Sequence, residues 1–258
     1  MRKKEIALVT GANSGLGKEF VRQLLEEDVD EIWAIARNEE RLEKLIGEYG
    51  ERIKCFSMDL TDRKNISILQ ERLAGEKNSS IRFLVNNAGF AKFCSYDDIS
   101  LEESLNMIDL NIGAVVALGL VCIPYMEPGS FLINIASQAS FFPLPYQNIY
   151  SSTKVFVRNY TRALNVELKD RDVHAIAVCP GWIDTGLFQR AIIGAKKGTN
   201  VFSRISQPDV VVRRALKDAK NGKDISVYSA FVKFTHVLSK LCPQRLVMKL
   251  WVCIQKLR

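Results

Sequence analysis

The feature that most restricts the fold of this chain is a regular alternation of short apolar runs with longer amphipathic stretches. Runs of strand character lie at Ile6–Thr10, Ile32–Ala36, Ile53–Met58, Phe83–Asn86, Phe131–Ala136, His174–Cys179 and Ile225–Tyr228. Helical periodicity fills the intervals, for example at Gly15–Glu27, Glu39–Tyr49, Asn65–Leu73 and Asn148–Lys169. A strand apolar on both faces needs cover above and below, and a helix after each strand supplies it. The expected architecture is therefore α/β, a doubly wound Rossmann-type fold with a seven-stranded, mostly parallel sheet and helices on both faces. No composition break, linker or repeat interrupts residues 1–258, so one domain is expected. The stretch Asp184–Gln207 disturbs the rhythm after the sixth strand. Its Gly186, Gly194 and Gly198 and mixed polarity read as a substrate lid.

Charge narrows the function classes. The chain carries a formal net charge of +7, yet no acidic residue follows Asp224. Lys233, Lys240, Arg245, Lys249, Lys256 and Arg258 supply six positive charges there, and without them the rest of the chain carries one. The basic character thus belongs to the tail, 229–258, and a nucleic-acid partner is not expected. The tail is expected to cover the site or pack against another subunit, with a membrane-surface helix as the less favoured alternative. From Gln244 onward only about 22 Å of helix is available, too short to span a bilayer, and no window offers roughly 20 uninterrupted apolar residues. Six scattered cysteines (Cys55, Cys94, Cys122, Cys179, Cys242 and Cys253) form no C-x-x-C pair, and only two histidines are present. This is the usage of reduced thiols in a cytoplasmic protein without a metal site.

The chemistry begins directly after the first strand, at Thr10-Gly-Ala-Asn-Ser-Gly-Leu-Gly17. Glycines permit a tight turn and let backbone amides approach a pyrophosphate at the positive end of the following helix. The spacing is G-x-x-x-G-x-G rather than the better-known G-x-G-x-x-G. At the end of the second strand stand Ala36, Arg37 and Asn38, with no acid before Glu39 to accept ribose hydroxyls. A guanidinium there suits a 2′-phosphate, so NADP(H) is expected over NAD(H); the plainer reading is a surface arginine capping the next helix. Farther on, Tyr150 and Lys154 lie four residues apart in a helical stretch, with Ser137 thirteen residues before Tyr150. Both side chains then share a face, and a nearby ammonium is expected to lower the phenol from its reference pKa of about 10.

These motifs join others in a fixed order: Asp59-Leu60 after the third strand, N-N-A-G at Asn86–Gly89, Asn111, and Pro180-Gly181 with Thr185. In this order the chain resembles the short-chain dehydrogenase/reductase family, in its compact single-domain branch, over essentially residues 5 to 228. The resemblance implies an NAD(P)-dependent oxidoreductase acting on CH–OH donors, interconverting an alcohol and a ketone or aldehyde. Tyr150 would protonate the substrate oxygen, Lys154 would lower its pKa and hold the nicotinamide ribose, Ser137 would bind the same oxygen, and Asn111 would support a proton-relay water. The dinucleotide would contact Gly11, Asn13, Ser14, Gly15, Leu16 and Gly17 in the turn and Arg37 beyond it. Asp59 and Leu60 would border the adenine, and Asn87, Ala88 and Gly89 the adenosine side. Pro180, Gly181, Ile183 and Thr185 would hold the nicotinamide. A homo-oligomer, dimer or tetramer, is the expected assembly.

Substrate identity has to come from side chains outside these motifs. Phe90, Phe93, Phe141, Phe142, Leu144, Leu187 and Phe188 are expected near the cleft and favour an apolar carbonyl such as a hydroxysteroid's ketone. The alternatives are a 3-oxoacyl-thioester reductase and a non-catalytic NADPH-binding regulator. Ser151, Ser152, Thr153, His174 and His236 read as structural.

Overall fold

The computed structural model describes residues 2–199 and 201–257, so Met1, Asn200 of the lid stretch and Arg258 of the tail lie outside it. Seven strands form one sheet: β1 Lys4–Thr10, β2 Glu31–Ala36, β3 Ile53–Ser57, β4 Ser79–Asn86, β5 Phe131–Ile135, β6 His174–Val178 and β7 Ile225–Ser226. Their order is β3-β2-β1-β4-β5-β6-β7. Every pairing is parallel, so the expected mostly parallel sheet is wholly so.

Among the described residues ten α-helices accompany the strands: α1 Gly15–Leu24, α2 Glu39–Tyr49, α3 Arg63–Gly75, α4 Leu101–Ile108, α5 Ala114–Cys122, α6 Asn148–Glu167, α7 Leu187–Ala191, α8 Pro208–Lys220, α9 Ala230–Leu241 and α10 Gln244–Ile254. Phe20 and Leu24 of α1, Leu42 and Leu45 of α2, and Val212 and Leu216 of α8 pack on one face of the sheet. Ile66 and Leu69 of α3, Leu118 of α5 and Leu164 of α6 cover the other. Strand residues such as Ile6, Ala7, Leu8 and Val9 of β1 are fully buried because both faces are occupied.

The run from α4 through α5 departs from the sequence expectation. Leu101–Tyr125 is one continuous 25-residue helical stretch, long and apolar enough to cross a membrane by length and composition. Its inner side is core: Met107, Asn111, Val115, Leu118 and Cys122 are buried. Leu101, Leu105, Ile108 and Leu120 point outward and are exposed. A π-helical turn, Asp109–Gly113, joins α4 to α5 and contains Asn111.

The order in which strands are added to the sheet reverses between β1 and β4. The loops after β1, β4, β5 and β6 all emerge at the carboxyl edge of the sheet, where open α/β sheets hold ligands. The lid stretch holds the short helix α7 and is anchored to its own start by a bridge between Ile183 and Ser206. The tail folds as the two helices α9 and α10 and returns to that same edge.

Candidate active site

The turn after β1 is built around two glycines that nothing larger could replace. Gly11 has φ of +62°, and a Cβ there would lie 2.8 Å from the Asn87 amide nitrogen. A Cβ on Gly17 would lie 2.1 Å from the carbonyl oxygen of Gly11, so the helix can start this close to the strand only with glycine. Thr10 fastens this turn to the next loop. Its hydroxyl accepts the backbone amides of Asn87 (3.0 Å) and Ala88 (2.9 Å) and donates to the Val85 carbonyl (3.3 Å). The Asn87 side chain donates to the Thr10 carbonyl at 2.9 Å. Helix α1 starts at Ser14, whose side chain makes no capping bond, and no acid stands in its first turn. Its leading amides therefore face the cleft without a protein acceptor, which is the fit an anionic pyrophosphate requires.

At the end of β2, Asn38 caps α2 by accepting the Arg41 amide at 2.8 Å, so Arg37 is not the cap. The Arg37 side chain is exposed, lines the cleft and stands 3.8 Å from the Asp59 carboxylate. Burial alone would raise the Asp59 pKa. Hydrogen bonds from the Thr61 amide and hydroxyl, with Arg37 nearby, outweigh it and hold the carboxyl below its ordinary value. Asp59 and Leu60 do not themselves line the cleft, and neither does Asn13, whose amide nitrogen lies 3.5 Å from the Asn38 carbonyl.

Ser137, Tyr150 and Lys154 meet on the cleft wall, each less than a tenth exposed. Ser137 follows β5 and accepts the Ala139 amide at 3.1 Å, which fixes its rotamer. Lys154 reaches back under the strand to donate to the Ile135 carbonyl at 2.8 Å, with its ammonium 5.9 Å from the centre of the Tyr150 ring. Burial dominates both ionisations here. It pushes Lys154 down from 10.5 to about 8, slightly opposed by the Cys179 sulfur. It pushes the Tyr150 phenol up, opposed by its hydrogen bond with Ser137. The expected depression of the tyrosine by the lysine is thus not what this site produces, because desolvation of the phenolate outweighs a cation that is itself poorly solvated.

Asn111 sits behind the wall rather than on it. Fully buried in the π-helical turn, it donates to the Phe90 carbonyl (3.0 Å) and the Thr153 hydroxyl (3.1 Å) and accepts the Phe90 amide (3.1 Å). It clamps the loop after β4 onto α6, and a π-turn at such a junction is a recurrent functional device. Thr153, read as structural, is the middle of that clamp and also donates to the Tyr150 carbonyl at 2.7 Å.

The cleft holds about 810 Å³ and runs from the glycine turn to an apolar chamber. Tyr150 enters that chamber among aromatic rings: Phe93 packs edge-on against it at 5.6 Å, and beyond it Phe188 stacks on Phe202 with Trp182 edge-on to both. Phe90, Phe93, Phe142, Leu144, Leu187 and Phe188 line it as expected. Phe141 does not; it turns into the core against His236 at 4.5 Å. Pro180, Gly181, Ile183 and Thr185 border the opposite wall.

The tail closes the chamber, the first of the two roles expected for it. Leu246, Leu250, Trp251 and Ile254 of α10 line the cleft. Trp251 donates to the Pro145 carbonyl at 3.0 Å, and Gln255 exchanges hydrogen bonds with the backbone of Val201 at 2.9 and 3.1 Å. Motif reasoning left Gln147 unassigned. It is 1% exposed, lines the cleft, donates from Nε2 to Thr199 at 3.0 Å, and its Oε1 has no partner. Tyr146 before it holds φ of +64°, a strained value for a non-glycine residue, and its hydroxyl donates to the Leu257 carbonyl at 3.3 Å.

The sequence pattern of the short chain dehydrogenase family matches residues 5–194. The chain belongs to the short-chain dehydrogenase family. It is an oxidoreductase of that family, and its tail lies beyond the matched residues. An uncharacterized oxidoreductase of Staphylococcus epidermidis is 28% identical over 197 residues, covering 76% of this chain and 85% of its relative. A short-chain dehydrogenase of Sphingobium yanoikuyae, solved in complex with NADPH, superposes with a TM-score of 0.77 at 24% identity, covering 95% of each chain. Another from Burkholderia phymatum, in complex with NAD, gives 0.78 at 17% identity over 92% of each. At these identities the two structures speak to the short-chain dehydrogenase fold alone.

Proposed function

We propose that this oxidoreductase uses NADP(H) to interconvert an apolar ketone and its alcohol, with a hydroxysteroid-sized substrate in the chamber beside Tyr150. The observation that carries the reading is the convergence of Ser137, Tyr150 and Lys154 between a glycine cradle and an apolar chamber. Gly11, Ser14, Gly15, Leu16 and Gly17 would hold the pyrophosphate, and Arg37 a 2′-phosphate. Lys154 would hold the ribose, while Pro180, Gly181, Ile183 and Thr185 flank the nicotinamide. When bound, the nicotinamide supplies or accepts the hydride.

The protein's own part is a proton and a fixed oxygen. The Ser137 hydroxyl positions the substrate carbonyl, and the Tyr150 phenol donates its proton to the oxygen as charge develops there. A phenol raised by burial keeps its proton through the neutral range, and a developing alkoxide is basic enough to take it. Lys154, with a pKa near 8, is mostly charged at pH 7 and stabilises the phenolate left behind. Asn111 keeps the Phe90 loop and α6 in register and so acts as a positioning residue. The unpartnered Gln147 Oε1 accepts a hydrogen bond from a donor group on the substrate, distant from the reacting carbonyl. The outward face at Leu101, Leu105 and Leu120 pairs subunits in a homo-oligomer.

The test is oxidation of NADPH and NADH across a panel of steroid, aliphatic and 3-oxoacyl-thioester carbonyls, with wild type, Tyr150→Phe and Arg37→Asp. Tyr150→Phe is expected to lose about 10²–10⁴-fold in kcat. Arg37→Asp is expected to shift preference from NADPH toward NADH. Undiminished turnover by Tyr150→Phe would remove the proton-donor role. Fast turnover confined to acyl thioesters would replace the substrate class, and an inert wild type that still binds NADPH would make the protein a regulator.

A further inference from the structure

Beyond Asp184, the lid stretch and the tail share a charge pattern. Between Thr185 and Gln207 there is no carboxylate, only Arg190, Lys196, Lys197 and Arg204. From Ile225 to the end there is again none, only the six cations of the tail. These ten positive charges exceed the net charge of +7, so the remainder of the molecule is net negative. The two segments are joined in space by the Gln255–Val201 pair and by Arg204, which lies 4.3 Å over the Phe231 ring. The cations of the described residues in these two segments therefore gather beside the cleft, which Glu102 and Glu103 line on the side of α4.

The cationic face is also apolar. Phe234 is 61% exposed and Leu241 77% on α9, while Leu246, Leu250 and Ile254 on α10 are at least half exposed at the rim of the cleft. Ile193 of the lid is 65% exposed. Lys233 and Lys240 on α9 and Arg245 and Lys249 on α10 are exposed too, so each helix presents leucines or phenylalanine together with cations. Isolated apolar residues on a surface are ordinary, but a run of them over two helices around a cavity mouth marks a contact site.

We propose that this face docks on an anionic lipid surface, with the rim of the cleft turned into the headgroup layer so that an apolar solute can pass from the bilayer to the chamber. Charge selects the occupant. A second copy would set the same cationic helices, α9 and α10, against each other, which like-charge repulsion disfavours. An anionic headgroup layer offers both what the cations need and an apolar interior for the leucines. Net negative charge on the remaining surface orients the molecule with this face toward the lipid. The docking does not depend on the reaction assigned to the site.

The experiment is co-sedimentation of the full chain with vesicles of phosphatidylcholine, with and without phosphatidylglycerol, at about 0.05 and 0.5 M salt. The expected result is partition onto the anionic vesicles at low salt, reduced at high salt and weak on neutral ones. Lys240→Gln/Lys249→Gln should lower the partition about 25-fold, roughly five-fold per neutralised cation. Phe234→Ser/Leu241→Ser, neither of which lines the cleft, should lower it about ten-fold while thermal unfolding stays that of the wild type. No partition at low salt would overturn the proposal. Binding that ignores Phe234→Ser/Leu241→Ser would mean adsorption by charge without docking, and overturns the orientation. If sedimentation velocity instead found a self-associated species that these substitutions dissolve, with no vesicle binding, the face would belong to a second copy.

Discussion

Replacing Lys154 by methionine should stabilise the protein while abolishing its chemistry. The side chain is 6% exposed and its ammonium is pushed down to about 8 from 10.5. A lowered folded-state pKa means that the unfolded chain binds more protons between those two values, so wild-type stability rises with pH across that window and is lost as pH falls through about 8. The shift corresponds to about 3 kcal/mol of stability withheld at pH 7, at 1.36 kcal/mol per pKa unit. Methionine matches the stem in volume but loses the bond from Nζ to the Ile135 carbonyl, a loss of about 1 kcal/mol. The balance is a gain of about 2 kcal/mol at pH 7, shrinking to nothing or a small deficit above pH 10. Urea unfolding at pH 7, 8, 9 and 10 reads it as the difference between the two proteins, which cancels groups they share. Equal pH slopes for both proteins would refute the desolvation argument, and a variant less stable at pH 7 would show that the carbonyl bond outweighs it. Such a site is stable despite its catalytic lysine, a common relation between activity and stability.

Three further outcomes follow from single contacts. Gly17→Ala should weaken NADPH binding by about ten-fold or more and lower the melting temperature, because its methyl meets the Gly11 carbonyl; calorimetric titration and a thermal melt measure both. Asn111→Leu should cost about 1–3 kcal/mol by urea unfolding, since the part-buried amide and carbonyl of Phe90 lose their partner, and kcat should fall with it as the Tyr150 wall loosens. Gln147→Leu should improve binding of a plain apolar ketone but raise KM about ten-fold or more for one carrying a hydroxyl, because the free Oε1 is gone; KM ratios across matched ketones decide it.

Much of the site was legible because its parts are local. Tyr150 and Lys154 share a helical face by spacing alone, and the strand–glycine–helix passage at Thr10–Gly17 needs no distant contact to be recognised. The strands were read to within a residue or so at most ends, and β7 is shorter than its apolar run because only Ile225 and Ser226 find ladder partners on β6. Phe141 was misassigned to the cleft: within Phe141-Phe142-Pro-Leu144 periodicity cannot say which ring turns inward, and packing against His236 decided it. The role of Thr153 was invisible for a similar reason, since its partner Asn111 is 42 residues away. Gln147 gave no signal at all, because an unpaired buried oxygen is a property of the folded state.

By itself the sequence determined the layered α/β architecture and the identity of the reacting side chains. Both follow from short-range rules: period-dependent burial and the fixed geometry of a turn or a helix. Only the tertiary structure decided the electrostatics and the enclosure. Burial raises the Tyr150 phenol and lowers the Lys154 ammonium, the reverse of the order that spacing alone suggests, because desolvation depends on everything packed around a group. The tail, expected from its sequence either to cover the site or to pack against another subunit, walls the chamber through contacts spanning 106 residues from Trp251 to Pro145. Its cations and leucines then share the rim with the lid, an arrangement that chain order keeps apart and only folding brings together.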